Sequence, residues 1–124
     1  YADDIYISSN NFIPIDIVSF IASNLSQNGF TINSGKTKFY STKYRRKITG
    51  LIITHDGKVS VGLQKRNEIK KMVYNKLIHN KGDSLKILGY LAFLNDVDPK
   101  AYNDIIIKYS QYCSGDIISA LNKS

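Results

Sequence analysis

The chain has 124 residues, 43% of them apolar and 22% charged, with nine Tyr and five Phe. This is enough apolar content for a compact core and too much for a disordered chain. No apolar run approaches the roughly 18–20 residues of a membrane span, and the single cysteine, Cys113, excludes both a disulfide framework and a cysteine-rich zinc module. The net charge of +7 is unevenly placed. Residues 1–35 carry Asp3, Asp4 and Asp16 and no Lys or Arg, a net −3, whereas residues 36–76 hold twelve cations against Asp56 and Glu68, a net +10. Residues 77–124 are neutral, with five charges of each sign. Such a block either solvates a helix and a hairpin or meets a polyanion; its self-repulsion favours the polyanion, and nucleic acid above all.

In chain order, Asp4 to Ser8 alternates Ile5 and Ile7 with Tyr6, which predicts a short strand leaving an acidic turn. Asn10-Asn11 offers helix-capping chemistry, with Pro14 in the first turn. Ile17, Val18, Ile21 and Leu25 form the stripe of an amphipathic helix that Gly29 ends. A turn at Asn33-Ser34-Gly35 follows, then a strand over Lys38 to Ser41. Lys47 to Thr54 is rich in β-branched residues and predicts a longer strand, joined through Asp56-Gly57 to Val59–Val61 as a hairpin. Residues 64–79 read as a helix with Ile69, Met72, Val73 and Leu77 on its apolar face and Lys65, Arg66, Lys70, Lys71 and Lys76 around it. Asp83 caps a second helix carrying Leu85, Leu88, Leu91 and Ala92, in which Gly89 suggests close approach by a neighbour. Pro99 opens a third, with Tyr102, Ile105, Ile106 and Tyr109 at helical spacing, and Ile117, Ile118 and Leu121 form a last short helix after Ser114-Gly115-Asp116. The fold class is α+β, a mixed lobe followed by a helical one.

Two adjacent carboxylates, Asp3 and Asp4, place hard oxygen ligands within about 4 Å of one another, where repulsion is severe without a cation. Solvated, they are an ordinary polar turn; with Mg²⁺ they fit phosphoryl-transfer chemistry. His55 and His79 lack partners at metal-ligand spacing, and the tyrosines in the helical region serve either as core or as stacking groups.

Taken in order, these segments resemble the reverse transcriptases. Tyr1-Ala2-Asp3-Asp4 is similar to their Y-x-D-D box, and Gly29-Phe30-Thr31-Ile32-Asn33 with Lys36-Thr37 to the next box of the palm. Arg46-Lys47-Ile48-Thr49-Gly50-Leu51 resembles the R-x-V-T-G-L segment of bacterial retron enzymes, with Ile48 in place of Val and Thr54 where Asn is common. Gly89-Tyr90-Leu91-Ala92-Phe93, with Asp98-Pro99 and Tyr102, looks like that family's thumb.

The resemblance implies residues 1–62 as the C-terminal part of the palm and residues 63–124 as a helical thumb. It makes Asp3 and Asp4 catalytic Mg²⁺ ligands on a β-hairpin turn, and puts Tyr1 and Ala2 beside the primer end and the incoming deoxynucleoside triphosphate. Lys36 falls near that nucleotide's phosphates. The hairpin around Thr49-Gly50 becomes a primer-gripping element, and Arg45, Arg46, Lys47, Thr49, Gly50, Lys65, Arg66, Lys70 and Lys71 become contacts to a structured RNA template and an RNA–DNA duplex. A basic helix reads such an A-form hybrid by shape, phosphates and 2′-hydroxyls. The third metal carboxylate and the fingers are expected upstream of Tyr1, as the N-terminal portion of the same protein, so the 124 residues alone should not polymerise. An effector protein is a candidate partner in antiphage defence; a bacterial cytoplasmic location and no membrane partner complete the expectation. Two other readings stand beside it: another bacterial reverse transcriptase, intron-encoded or defence-associated, and a non-catalytic RNA-binding module.

Overall fold

The computed structural model describes residues 3–123, and the chain divides into two compact units, residues 1–39 and residues 40–124. In the first unit the one regular element among the described residues is helix α1, Asp16–Gln27. Its half-buried residues are Ile17, Val18, Ile21, Ala22 and Leu25, the stripe the spacing predicts. Asp16 in the first turn complements the positive end of the helix dipole. The C-terminus closes by a Schellman pattern, in which the Gly29 N–H donates to the Ser26 carbonyl (3.1 Å) and the Phe30 N–H to that of Leu25 (3.0 Å).

Three expectations for this part of the chain need correcting. Asn10-Asn11 does not cap α1, because the Asn11 N–H donates to Ser9 Oγ at 3.0 Å in a local turn and the helix begins five residues later. The strands expected at Asp4–Ser8 and at Lys38–Ser41 are irregular backbone. A strand holds its shape through a ladder with a neighbour, and among the described residues neither segment has one. The turn at Asn33 does form, with the Lys36 and Thr37 N–H groups both donating to the Asn33 carbonyl at 3.0 and 3.2 Å.

The second unit begins with an antiparallel sheet, β1 (Arg46–Ile48), β2 (Leu51–Ile53) and β3 (Val59–Ser60), in the order β1-β2-β3. The single strand expected over Lys47–Thr54 is instead two strands folded back on each other, with Ile48 opposite Leu51 and Arg46 opposite Ile53. The two-residue loop between them is Thr49 at φ 47° and Gly50 at φ 85°. Positive φ at both central positions defines the type I′ turn, whose twist matches the strands it joins. The second hairpin forms as expected, pairing Ile52 with Ser60 and Ile53 with Val59.

Among the described residues four helices follow: α2 (Gly62–His79), α3 (Ser84–Val97), α4 (Pro99–Tyr109) and α5 (Ile117–Asn122), with a 3-10 turn at Ser110–Tyr112. The core repeats at helical spacing: Ile69 and Val73 from α2, Ile87, Leu91 and Leu94 from α3, Ala101, Ile105 and Tyr109 from α4, Ile117 and Leu121 from α5. Fully burying each of these Leu, Ile or Val side chains stabilises the unit by roughly 1.5–3 kcal/mol. On α3 the expected stripe is displaced. Leu85 is 80% exposed and Ala92 is exposed, while Ile87 and Leu94 face inward. Nor does a neighbouring helix press on Gly89, since a Cβ built there meets nothing within 4 Å.

Capping explains where the helices start. Asp83 accepts from the Leu85 and Lys86 N–H groups, Asp98 from Ala101 N–H, and Asp116 from Ser119 N–H. The sheet joins the helices at Gly62 (φ 79°), where the backbone passes so close to Ile52 that a Cβ would lie 2.6 Å from its Cδ1.

Candidate nucleic-acid interface and acidic turn

Asp3 and Asp4 are both exposed, and Asp4 Oδ2 accepts from the Tyr6 hydroxyl at 3.3 Å. Tyr1 and Ala2, expected at the primer end, lie outside the described residues. Lys36 is exposed on the turn held by the Asn33 carbonyl, and among the described residues no ion pair ties it to Asp3 or Asp4. Two adjacent, accessible carboxylates suit a hard cation as part of an oxygen ligand set. Among the described residues no group of three His, Cys, Asp or Glu side chains converges to complete one.

The basic residues separate by what they touch. Arg46 is half-buried on the sheet and its Nη2 donates to the Thr54 carbonyl at 3.2 Å, while its buried Nε has no partner among the described residues. Lys47 points the other way, as strand alternation requires, and is exposed. Arg45, Thr49 and Gly50 are exposed beside it, at and around the type I′ turn. At the tip of the second hairpin Lys58 pairs with Asp56 at 2.8 Å, and Thr54 Oγ1 also donates to Asp56. The Asp56 carboxyl is held well below the ordinary carboxylate range by hydrogen bonds from Lys58 and then Thr54.

On α2, Lys65 pairs with Glu68 at 3.0 Å and lies 4.1 Å from the centre of the Tyr90 ring, over its face. Arg66 is spoken for by Asp98, Nη2 to Oδ2 at 3.3 Å. Lys70 is half-buried and Lys71 exposed, with no ion pair recorded for either among the described residues. Arg45, Lys47, Lys70 and Lys71 therefore present their charge outward, whereas Arg46, Lys65 and Arg66 already have intramolecular partners.

Asp98 was missed as an organising residue, although an Asp before a helix-opening Pro is a cap signature. It is 7% exposed and gathers three donors: Ser60 Oγ at 2.9 Å from the end of β3, Arg66 Nη2 from α2, and Ala101 N–H at 3.2 Å from α4. Burial alone would push its carboxyl up. The hydrogen bonds from Ser60 and Ala101 and the Arg66 charge outweigh that, and the carboxyl sits below its ordinary value.

No family model matches the chain. Curated proteins do match it, among them two of Escherichia coli. Retron Ec86 reverse transcriptase is 30% identical over 112 residues, covering 90% of this chain and 35% of its own length. Retron Ec73 reverse transcriptase is 29% identical over 118 residues, 90% of this chain and 37% of its own length. The chain is thus similar to reverse transcriptases over 90% of its length. More narrowly, these relatives are of retron type, and the resemblance carried by the ordered boxes is borne out at that level. The chain spans about a third of the length of these relatives. No helix is long and apolar enough to cross a membrane among the described residues.

Proposed function

We propose that this chain forms the end of the palm (residues 1–62) and the thumb (residues 63–124) of a retron-type RNA-directed DNA polymerase. The likeness to two retron reverse transcriptases over 90% of the chain carries the reading. In it, the polymerase extends a primer on a structured RNA template with deoxynucleoside triphosphates, and other parts of the protein supply the fingers and a further carboxylate. Asp3 and Asp4 would contribute oxygen ligands to Mg²⁺, which when bound neutralises phosphate charge and orients the attacking and leaving oxygens. Lys36 would offer a cation to the nucleotide's phosphates, lowering the cost of charge on the leaving group. The outward charges of Arg45, Lys47, Lys70 and Lys71 support a track for the RNA–DNA duplex, with Thr49 and Gly50 at the turn beside it.

The test replaces Asp3 or Asp4 by Asn in the full-length protein and measures DNA synthesis on an RNA template. A loss of more than about a hundredfold is expected, the scale on which removing a principal electrostatic group acts. Synthesis that survives both replacements would leave an RNA-binding module as the better description. A branched RNA–DNA hybrid that co-purifies supports the retron type, while bare RNA points to another reverse transcriptase. An effector protein recovered in the same preparation would support the defence role.

A further inference from the structure

The residues 86, 89, 90 and 93 form one stripe along α3, beside α2, and that stripe lines an open groove. Lys86, Gly89, Tyr90 and Phe93 together with Lys65 of α2 line this shallow, open hollow of about 430 Å³. Gly89 is the unusual member. It sits mid-helix, where glycine is unfavourable, yet its missing side chain makes room for no neighbour within the protein. What it leaves is bare helix backbone at the groove floor. Phe93 is 42% exposed, and the Lys65 ammonium lies over the ring of Tyr90. Lys86 also lines a second depression of about 330 Å³, together with Asn75, Lys81 and the Asp83 carboxylate. Lys86 and Lys81 are exposed, and no ion pair is recorded for either among the described residues.

From this we infer that the α2–α3 groove binds an unpaired stretch of RNA, with one base laid over Gly89 against Tyr90 and Phe93 and the adjoining phosphate met by Lys86. This site rests on the nucleic-acid reading above and is additional to the duplex track. An apolar floor with aromatic walls suits the flat face of any base, and cations at the rim suit the backbone that carries it. A duplex keeps its bases stacked inside and its grooves polar, so it gains little from such a floor.

The experiment fills the floor. Gly89→Leu and Gly89→Ala are made in the chain, and binding of a fluorescein-labelled oligouridylate and of a blunt RNA duplex is followed by fluorescence anisotropy beside thermal melts. Gly89→Leu is expected to weaken oligouridylate binding roughly tenfold, the worth of one stacked base, with duplex affinity unchanged. Gly89→Ala is expected to melt above the parent, because nothing stands where its methyl group goes. Oligouridylate affinity that is unchanged by Gly89→Leu overturns the proposal, as does an equal loss for both probes. Should Gly89→Leu melt below the parent, Phe93→Ala and Lys86→Ala decide the matter in the same way. Retained duplex binding with no effect of these changes on the single strand removes the groove and leaves the polymerase reading standing, since that reading is tested separately through Asp3 and Asp4.

Discussion

Replacing Asp98 by Ala removes one carboxylate that serves three elements at once. The first loss is the cap on α4, worth about 1 kcal/mol. The second is the Ser60 hydrogen bond, which leaves a part-buried hydroxyl to find another acceptor, at about 0.5–1.5 kcal/mol. The third is the counter-charge for Arg66, whose side chain is 27% exposed and whose Nε already lacks a partner among the described residues. Solvent reaches that guanidinium, so its loss is set at about 1 kcal/mol rather than the value for a fully buried pair. The total is about 3 kcal/mol. For a unit of this size that lowers the melting temperature by roughly 12–24 °C. Asp98→Asn keeps an oxygen for Ala101 and should cost about half as much. Urea denaturation of Asp98→Ala, Arg66→Ala and the double variant closes the cycle, with a coupling of about 1 kcal/mol expected. The sign with pH is fixed by the lowered carboxyl. Its contribution is whole above the unfolded value of about 3.9 and is lost as pH falls through the folded value, so the gap between parent and Asp98→Asn should narrow only below about pH 4. A loss under 1 kcal/mol for Asp98→Ala, or no coupling to Arg66, would refute the junction described here.

Two further outcomes follow from the same geometry. Thr49, β-branched at φ 47°, is strained, and Thr49→Asn, which suits a type I′ turn, should stabilise the chain by about 1 kcal/mol in urea denaturation; a lower midpoint would contradict the turn. Removing Lys70 and Lys71 together should lower the salt slope of duplex binding by about 1.5, whereas Lys65→Ala should lower it far less, since Lys65 is already paired with Glu68. Equal slopes for all three cations would mean that the intramolecular pairing does not decide which charges face the duplex.

The helices and most of their inward faces were legible in the sequence, although the buried stripe of α3 runs through Ile87, Leu91 and Leu94 rather than through Leu85 and Ala92. Ile69 and Val73, and Ile105 with Tyr109, repeat at the helical period, and Asp83 and Pro99 mark starts that need only local signals. It also carried the likeness to retron reverse transcriptases, since the boxes around Asp3-Asp4 and Thr49-Gly50 are linear patterns. Strands were less legible because their partners lie elsewhere in the chain. Asp4–Ser8 alternates correctly and stays unpaired among the described residues, while Lys47–Thr54 breaks at Thr49-Gly50, where β propensity yields to the turn that pairing requires.

Only the tertiary structure decided which cations are free. Lys65, Arg66, Lys70 and Lys71 look alike in sequence, but the fold brings Asp98 from 32 positions away to Arg66 and Tyr90 beneath Lys65. The net +10 of residues 36–76 is therefore a composition, and the surface it makes is smaller. Part of that charge holds the sheet and helices together, because a half-buried cation gains more from a fixed carboxylate or ring than from water. The remainder faces outward, where a polyanion can meet it.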